Sequence, residues 1–73
     1  MDKRTFIDNM TARGYELRPF RNGNITATKG DDMVRFVPRA NCIVYIDTPT
    51  VAAIVREGTT DTETFGTIDA LTA

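Results

Sequence analysis

The sequence predicts an α+β fold: a four-stranded antiparallel meander with two helices packed on one face (α-β-β-β-β-α), followed by a short C-terminal segment. Three observations predict it. Residues 3–13 place apolar side chains at helical spacing; residues 15–37 alternate around two glycine turns; and a β-rich run, Cys42 to Asp47, leads into a Thr-Pro helix-start signal. The 73 residues make one domain, taken as 1–58, with a threonine-rich tail over 59–73, docked or partly disordered.

The first helix rests on Phe6, Ile7 and Met10, with Gly14 placed for a left-handed cap. Tyr15 to Phe20 and Ile25 to Lys29 then form a hairpin. A three-residue loop, Arg21-Asn22-Gly23, pairs Pro19 with Ile25 and Leu17 with Ala27, and so gathers Tyr15, Leu17, Ile25 and Ala27 on one face. A two-residue loop would split that apolar set between the two faces. Gly30-Asp31 suits a type II′ turn, which pairs Ala27 with Val34 and Ile25 with Phe36 and keeps the same face apolar.

A third turn is expected at Pro38-Arg39-Ala40-Asn41, followed by a strand over 42–47. Pairing Phe36 with Ile43 brings Ile43 and Tyr45 to the core and points Cys42, Val44 and Ile46 away from it. Thr48 and Pro49 suit the cap and first position of a second helix with Val51, Ile54 and Val55 as its stripe and Gly58 as its end. In the tail, Thr60 and Glu63 have capping-box spacing and Phe65, Ile68 and Leu71 recur every three residues, but Gly66 and the threonines oppose a helix. A frayed helix, a docked extended arm and partial disorder all fit.

Composition narrows the function. With no histidine and one cysteine, the chain lacks the usual parts of a zinc site, a His-based triad or an intramolecular disulfide. The longest apolar run, Val51 to Val55, is far short of the roughly 20 residues of a membrane span. A cytoplasmic, non-enzymatic protein without a cofactor or metal is expected. Asp31 and Asp32 read as turn chemistry and Cys42 as a packing residue. The net charge of -1 divides unevenly: residues 1–39 hold eight bases and five acids, and residues 40–73 one base and five acids.

The expected site is the sheet face opposite the helices. Arg18, Phe20, Arg35 and Arg39 are the polar and aromatic anchors, of the types enriched at binding hot spots, and Met33, Val44 and Ile46 the apolar contact. Met33, Val37, Val44 and Ile46, with Cys42 among them, form a patch covered either by the tail or by a partner, a homodimer or another protein. The alternative surface is acidic, Asp61, Glu63 and Asp69, suited to a basic groove. Arginines and an aromatic on an open sheet also fit a nucleic-acid-binding module, a reading weakened by the acidic C-terminal half.

The run Phe6-Ile7, Arg13-Gly14-Tyr15-Glu16-Leu17, Ile25, Lys29-Gly30 and Val34-Arg35-Phe36-Val37 resembles a helix–hairpin segment found beside the catalytic domain of mobilisation relaxases. It covers about half the chain, and the relaxase tyrosine context and metal-binding histidines are missing, so the resemblance implies no activity. In size and acidity the chain is also similar to small proteins of phages and conjugative elements, among them anti-CRISPR and other anti-defence inhibitors. That likeness implies a protein that occupies another protein or a protein–nucleic acid complex, such as a host defence nuclease.

Overall fold

The computed structural model describes residues 1–39 and 42–73, with Cys42 described in its backbone alone. Helix α1 spans Lys3–Ala12, strands β1 to β5 span Glu16–Pro19, Ile25–Lys29, Asp32–Phe36, Cys42–Asp47 and Ala52–Arg56, and helix α2 spans Asp61–Leu71. The strands form one antiparallel sheet in sequence order, β1-β2-β3-β4-β5. The sheet therefore has five strands rather than four. No helix among the described residues is long and apolar enough to cross a membrane.

Local chemistry sets the first half of the chain. Asp2 caps α1 by accepting the Thr5 N–H at 2.7 Å. At the other end the Gly14 N–H donates to the Thr11 carbonyl and the Tyr15 N–H to that of Met10, with Gly14 at φ 85°. These two bonds make a Schellman cap, and the left-handed residue turns the chain straight into β1. Both expected hairpin registers are present: Leu17 faces Ala27, Pro19 faces Ile25, Ala27 faces Val34 and Ile25 faces Phe36. Gly30 has φ 59° while no described non-glycine residue has positive φ. Asp31 is therefore negative, which makes the turn type II′ rather than I′.

From β3 onward two expectations are corrected. Phe36 pairs with Val44, not Ile43, and Val34 with Ile46. This one-residue slip sends Val44 and Ile46 into the core, 0% and 1% exposed, and Tyr45 to the opposite face. The reason lies in the alternation of β4. One register offers the core Val44 and Ile46; the other offers Tyr45 and Asp47, whose hydroxyl and carboxylate would lose water. Ile43 still packs against the core, because it is the extra residue of a bulge where Cys42 faces Arg56 and Val44 faces Val55. The last two residues of the expected turn at 38–41, and the side chain of Cys42, lie outside the described residues.

The second correction replaces the expected helix after Pro49 with strand β5. The Thr48 N–H donates to the Val51 carbonyl at 2.8 Å, and the Thr48 hydroxyl accepts the N–H groups of Val51 and Thr50 at 3.0 and 3.3 Å. A threonine oxygen that accepts nearby N–H groups, followed by proline at φ near -65°, serves a helix start and a tight turn equally well. The sheet breaks the tie. β-Branched Val51, Ile54 and Val55 suit a strand, and β5 pairs the side of β4 that a helix would leave unbonded.

The tail supplies the second helix instead. Thr60 caps α2, accepting the Glu63 N–H at 3.1 Å while its hydroxyl donates to the Glu63 carboxylate at 2.9 Å. The threonines within and after the helix are accommodated by back-bonding: the hydroxyls of Thr64, Thr67 and Thr72 donate to carbonyls four residues earlier. Phe65 and Ile68 join Phe6 and Met10 of α1 over the inner sheet residues Ile25, Val34, Val44 and Ile46. Phe6 stacks on Phe36 with ring centroids 5.3 Å apart. Both helices thus cover one face of the sheet, and no element among the described residues covers the other.

Candidate partner-binding face

On the helix-free face the registers line up two cross-strand rows. One runs Arg18, Thr26, Arg35, Tyr45, Ile54; the other runs Glu16, Thr28, Met33, Asp47, Ala52. Arg35 sits at the centre of the first row, held by its Nε–H donating to the Thr26 hydroxyl at 3.3 Å. Thr26, between two arginine side chains, is only 8% exposed. The long arginine stems shield it while their charged ends reach water.

Two depressions flank Arg35. The first, about 370 Å³, is bordered by Arg18, Phe20, Thr26 and Arg35. The second, about 490 Å³, is bordered by Met33, Arg35, Tyr45, Ala52 and Ile54. One side of Arg35 is therefore polar, with Arg18 and Arg35 beside the Glu16 carboxylate and an exposed aromatic at its rim, and the other is largely apolar. Phe20 and Ile54 are both about half exposed, at 48% and 49%.

Of the expected anchors, Arg18, Phe20 and Arg35 meet at the first depression and Met33 lies at the second. Val44 and Ile46 are instead buried in the core, 0% and 1% exposed, with the tail's Phe65 and Ile68 among their cluster, and Ile46 only reaches the lining of the second depression. Arg39 is exposed just beyond β3 and borders neither depression. Tyr45 and Ile54 supply apolar side chains at the second depression, where Val44 and Ile46 were expected. Asp47 was the available signal: once that carboxylate is assigned to solvent, alternation carries Tyr45 with it.

The acidic residues of α2 are engaged within the chain. Asp69 accepts two bonds from Arg13, from Nε at 2.7 Å and from a terminal nitrogen at 3.0 Å. Those bonds hold its carboxyl below the usual aspartate range and raise the Arg13 guanidinium further. Arg13 also lies 4.9 Å from the Phe65 ring centroid, so it clamps α1 to α2. Glu63 serves the cap of α2, and Asp61 lies 3.7 Å from the Met1 amino group. The Arg13–Asp69 pair joins the basic half of the chain to the acidic half.

The fold and this face define a two-layer α+β domain with one uncovered sheet surface. No protein family, curated protein or solved structure matches the chain.

Proposed function

We propose that this chain is a non-enzymatic binding protein that acts by occupying a protein partner, as a phage or mobile-element inhibitor of a host defence nuclease would. The observation that carries the binding reading is the helix-free face, where Arg35 stands between an apolar depression at Met33, Tyr45 and Ile54 and a polar one at Arg18 and Phe20. An apolar contact beside an arginine and an aromatic is the composition of an energetic hot spot. It fits a partner surface that presents an apolar side chain flanked by a carboxylate. The inhibitor reading rests on the chain's size and acidity, which are like those of small anti-defence proteins of phages and conjugative elements.

A second reading is favoured by the meeting of Arg18, Phe20 and Arg35 at one depression. Two guanidinium groups and an exposed ring can hold a phosphate and stack a base. Glu16 and Asp47 on the same face work against it by repelling phosphates.

Affinity capture compares the full chain with Met33→Asp and Arg35→Glu. A protein retained by the wild type and lost with both variants, whose far-UV circular dichroism is unchanged, supports docking through this face. Identical retention by all three overturns it. The inhibitor step is then read as loss of the captured protein's nuclease activity. Fluorescence polarisation with labelled oligonucleotides at low salt tests the second reading, since electrostatic affinity is greatest there. Tight binding lost on Arg18→Glu and Arg35→Glu would replace the protein partner with a nucleic acid.

A further inference from the structure

The two edges of the sheet are built differently. β1, at one edge, carries Glu16 and Arg18 and ends on Pro19, which has no N–H to offer. Charges and proline are the features that keep an edge strand from pairing with another chain. β5, at the other edge, reads Ala-Ala-Ile-Val-Arg, with no proline and no charge before Arg56. The extra residue of the bulge belongs to β4, so β5 itself is regular. Ile54, in its middle, is half exposed.

Hydrogen-bond alternation identifies the free backbone groups. The Thr48 N–H to Val51 carbonyl bond makes those two residues a bonded pair at the hairpin end. In an antiparallel ladder the next pair, Asp47 with Ala52, is then non-bonded, Ile46 with Ala53 is bonded, and Tyr45 with Ile54 is non-bonded. The N–H and C=O of Ala52 and Ile54 therefore point away from β4, toward an edge beyond which the described residues place no further strand.

We infer that β5 pairs antiparallel with β5 of a second copy of this chain, about a two-fold axis at Ile54, so that the two sheets become one. In that register the outward groups of Ile54 meet those of its own copy, Ala52 meets Arg56, and Ala53 meets Val55. The whole strand is paired and no like charges stand opposite each other. Sliding the copies one step toward Arg56 moves the axis to Val55 and carries Ala52 off the strand onto Gly58, and a second step sets the two guanidiniums opposite each other. Sliding them the other way carries the strand ends onto Thr50 and Pro49 of the hairpin. The Arg56 carbonyl already accepts the Thr59 N–H at 3.3 Å, and its second lone pair is left for Ala52. A closed two-fold pair also removes the vulnerable edge and stops further growth, because the outer edges of the joined sheet are then two guarded β1 strands. The pairing does not rest on the function proposed above, although Ile54 belongs to both: its backbone lies at the edge while its side chain borders the apolar depression.

Sedimentation velocity of the full chain over a concentration series should show a mass rising from 8.1 kDa to twice that value. Amide exchange should slow at Ile54 as concentration rises and stay constant at Ala53, whose N–H is already bonded to β4. Ile54→Lys, which puts two ammonium groups on the axis, and Ile54→Pro, which removes only an outward donor, should both leave a folded monomer. Met33→Asp and Arg35→Glu should leave the dimer intact, which separates this pairing from the docking face. A mass fixed at the monomer value at every concentration overturns the inference. So does a dimer that survives both Ile54 variants, or one whose formation leaves exchange at Ile54 unchanged. Because the exchange measurement is made on the unaltered chain, it decides the matter even where a variant misfolds.

Discussion

Replacing Ile46 with alanine tests the position of β4 directly. Ile46 is 1% exposed and pairs with Val34 beneath the helices, so the truncation removes three fully buried carbon atoms. At about 0.8 kcal/mol per carbon this is about 2.4 kcal/mol, and incomplete collapse of the cavity raises the loss to about 3–4 kcal/mol. A domain of this length has roughly 4–11 kcal/mol in total, at about 0.05–0.15 kcal/mol per residue. The variant should therefore lose a large part of its stability. The same truncation at Ile54, 49% exposed on the other face, removes far less buried surface and should cost under about 1 kcal/mol. Urea denaturation followed by far-UV circular dichroism, at low protein concentration so that any pairing through β5 does not contribute, measures both. If Ile46→Ala costs no more than Ile54→Ala, β4 is in the other register and the face described here is inverted.

Thr60→Ala removes the oxygen that caps α2 and the partner of Glu63, and should lower stability by about 1 kcal/mol in the same assay. Asp69 has its carboxyl pKa lowered by Arg13, so the stability from this pair is present above the unfolded-state value, about 4, and disappears as pH falls through the lower folded value. Asp69→Asn should cost about 1 kcal/mol or less near neutral pH, since the pair is partly exposed, and should remove part of the acid dependence of urea midpoints below about pH 4. Equal acid dependence in variant and wild type would show that the clamp does not hold in solution. Asp2, lowered by its bond from the Thr5 N–H, should leave a residual dependence of the same sign in the Asp69 variant.

The first half of the fold was legible because its determinants are short-range. A left-handed Gly14, a three-residue loop through Gly23 and a II′ turn at Gly30 each set the chain direction locally, and the two hairpin registers agree on one apolar face. Reading failed where two structures share the same local chemistry. Thr48-Pro49 starts a helix or closes a hairpin with the same hydroxyl and the same proline torsion. Similarly, β4 has apolar residues on both of its faces, so alternation alone does not choose between Ile43 with Tyr45 and Val44 with Ile46.

Arg18, Phe20, Met33 and Arg35 could be placed on the helix-free face from the sequence because they sit on or beside the elements whose register local turns fix. Tyr45 and Ile54 were missed because β4 and β5 take their places from the sheet. Composition, turns and caps thus determined the two antiparallel hairpins over residues 16–36, their apolar face and the first helix, and marked the capping-box spacing of Thr60 and Glu63 without deciding the helix behind it. The tertiary structure decided the register of β4, the conversion of 52–56 to strand and the docking of α2. Those choices depend on which arrangement buries Val44, Ile46, Phe65 and Ile68 together while leaving Asp47 in water, a comparison between residues far apart in the chain that no local window contains.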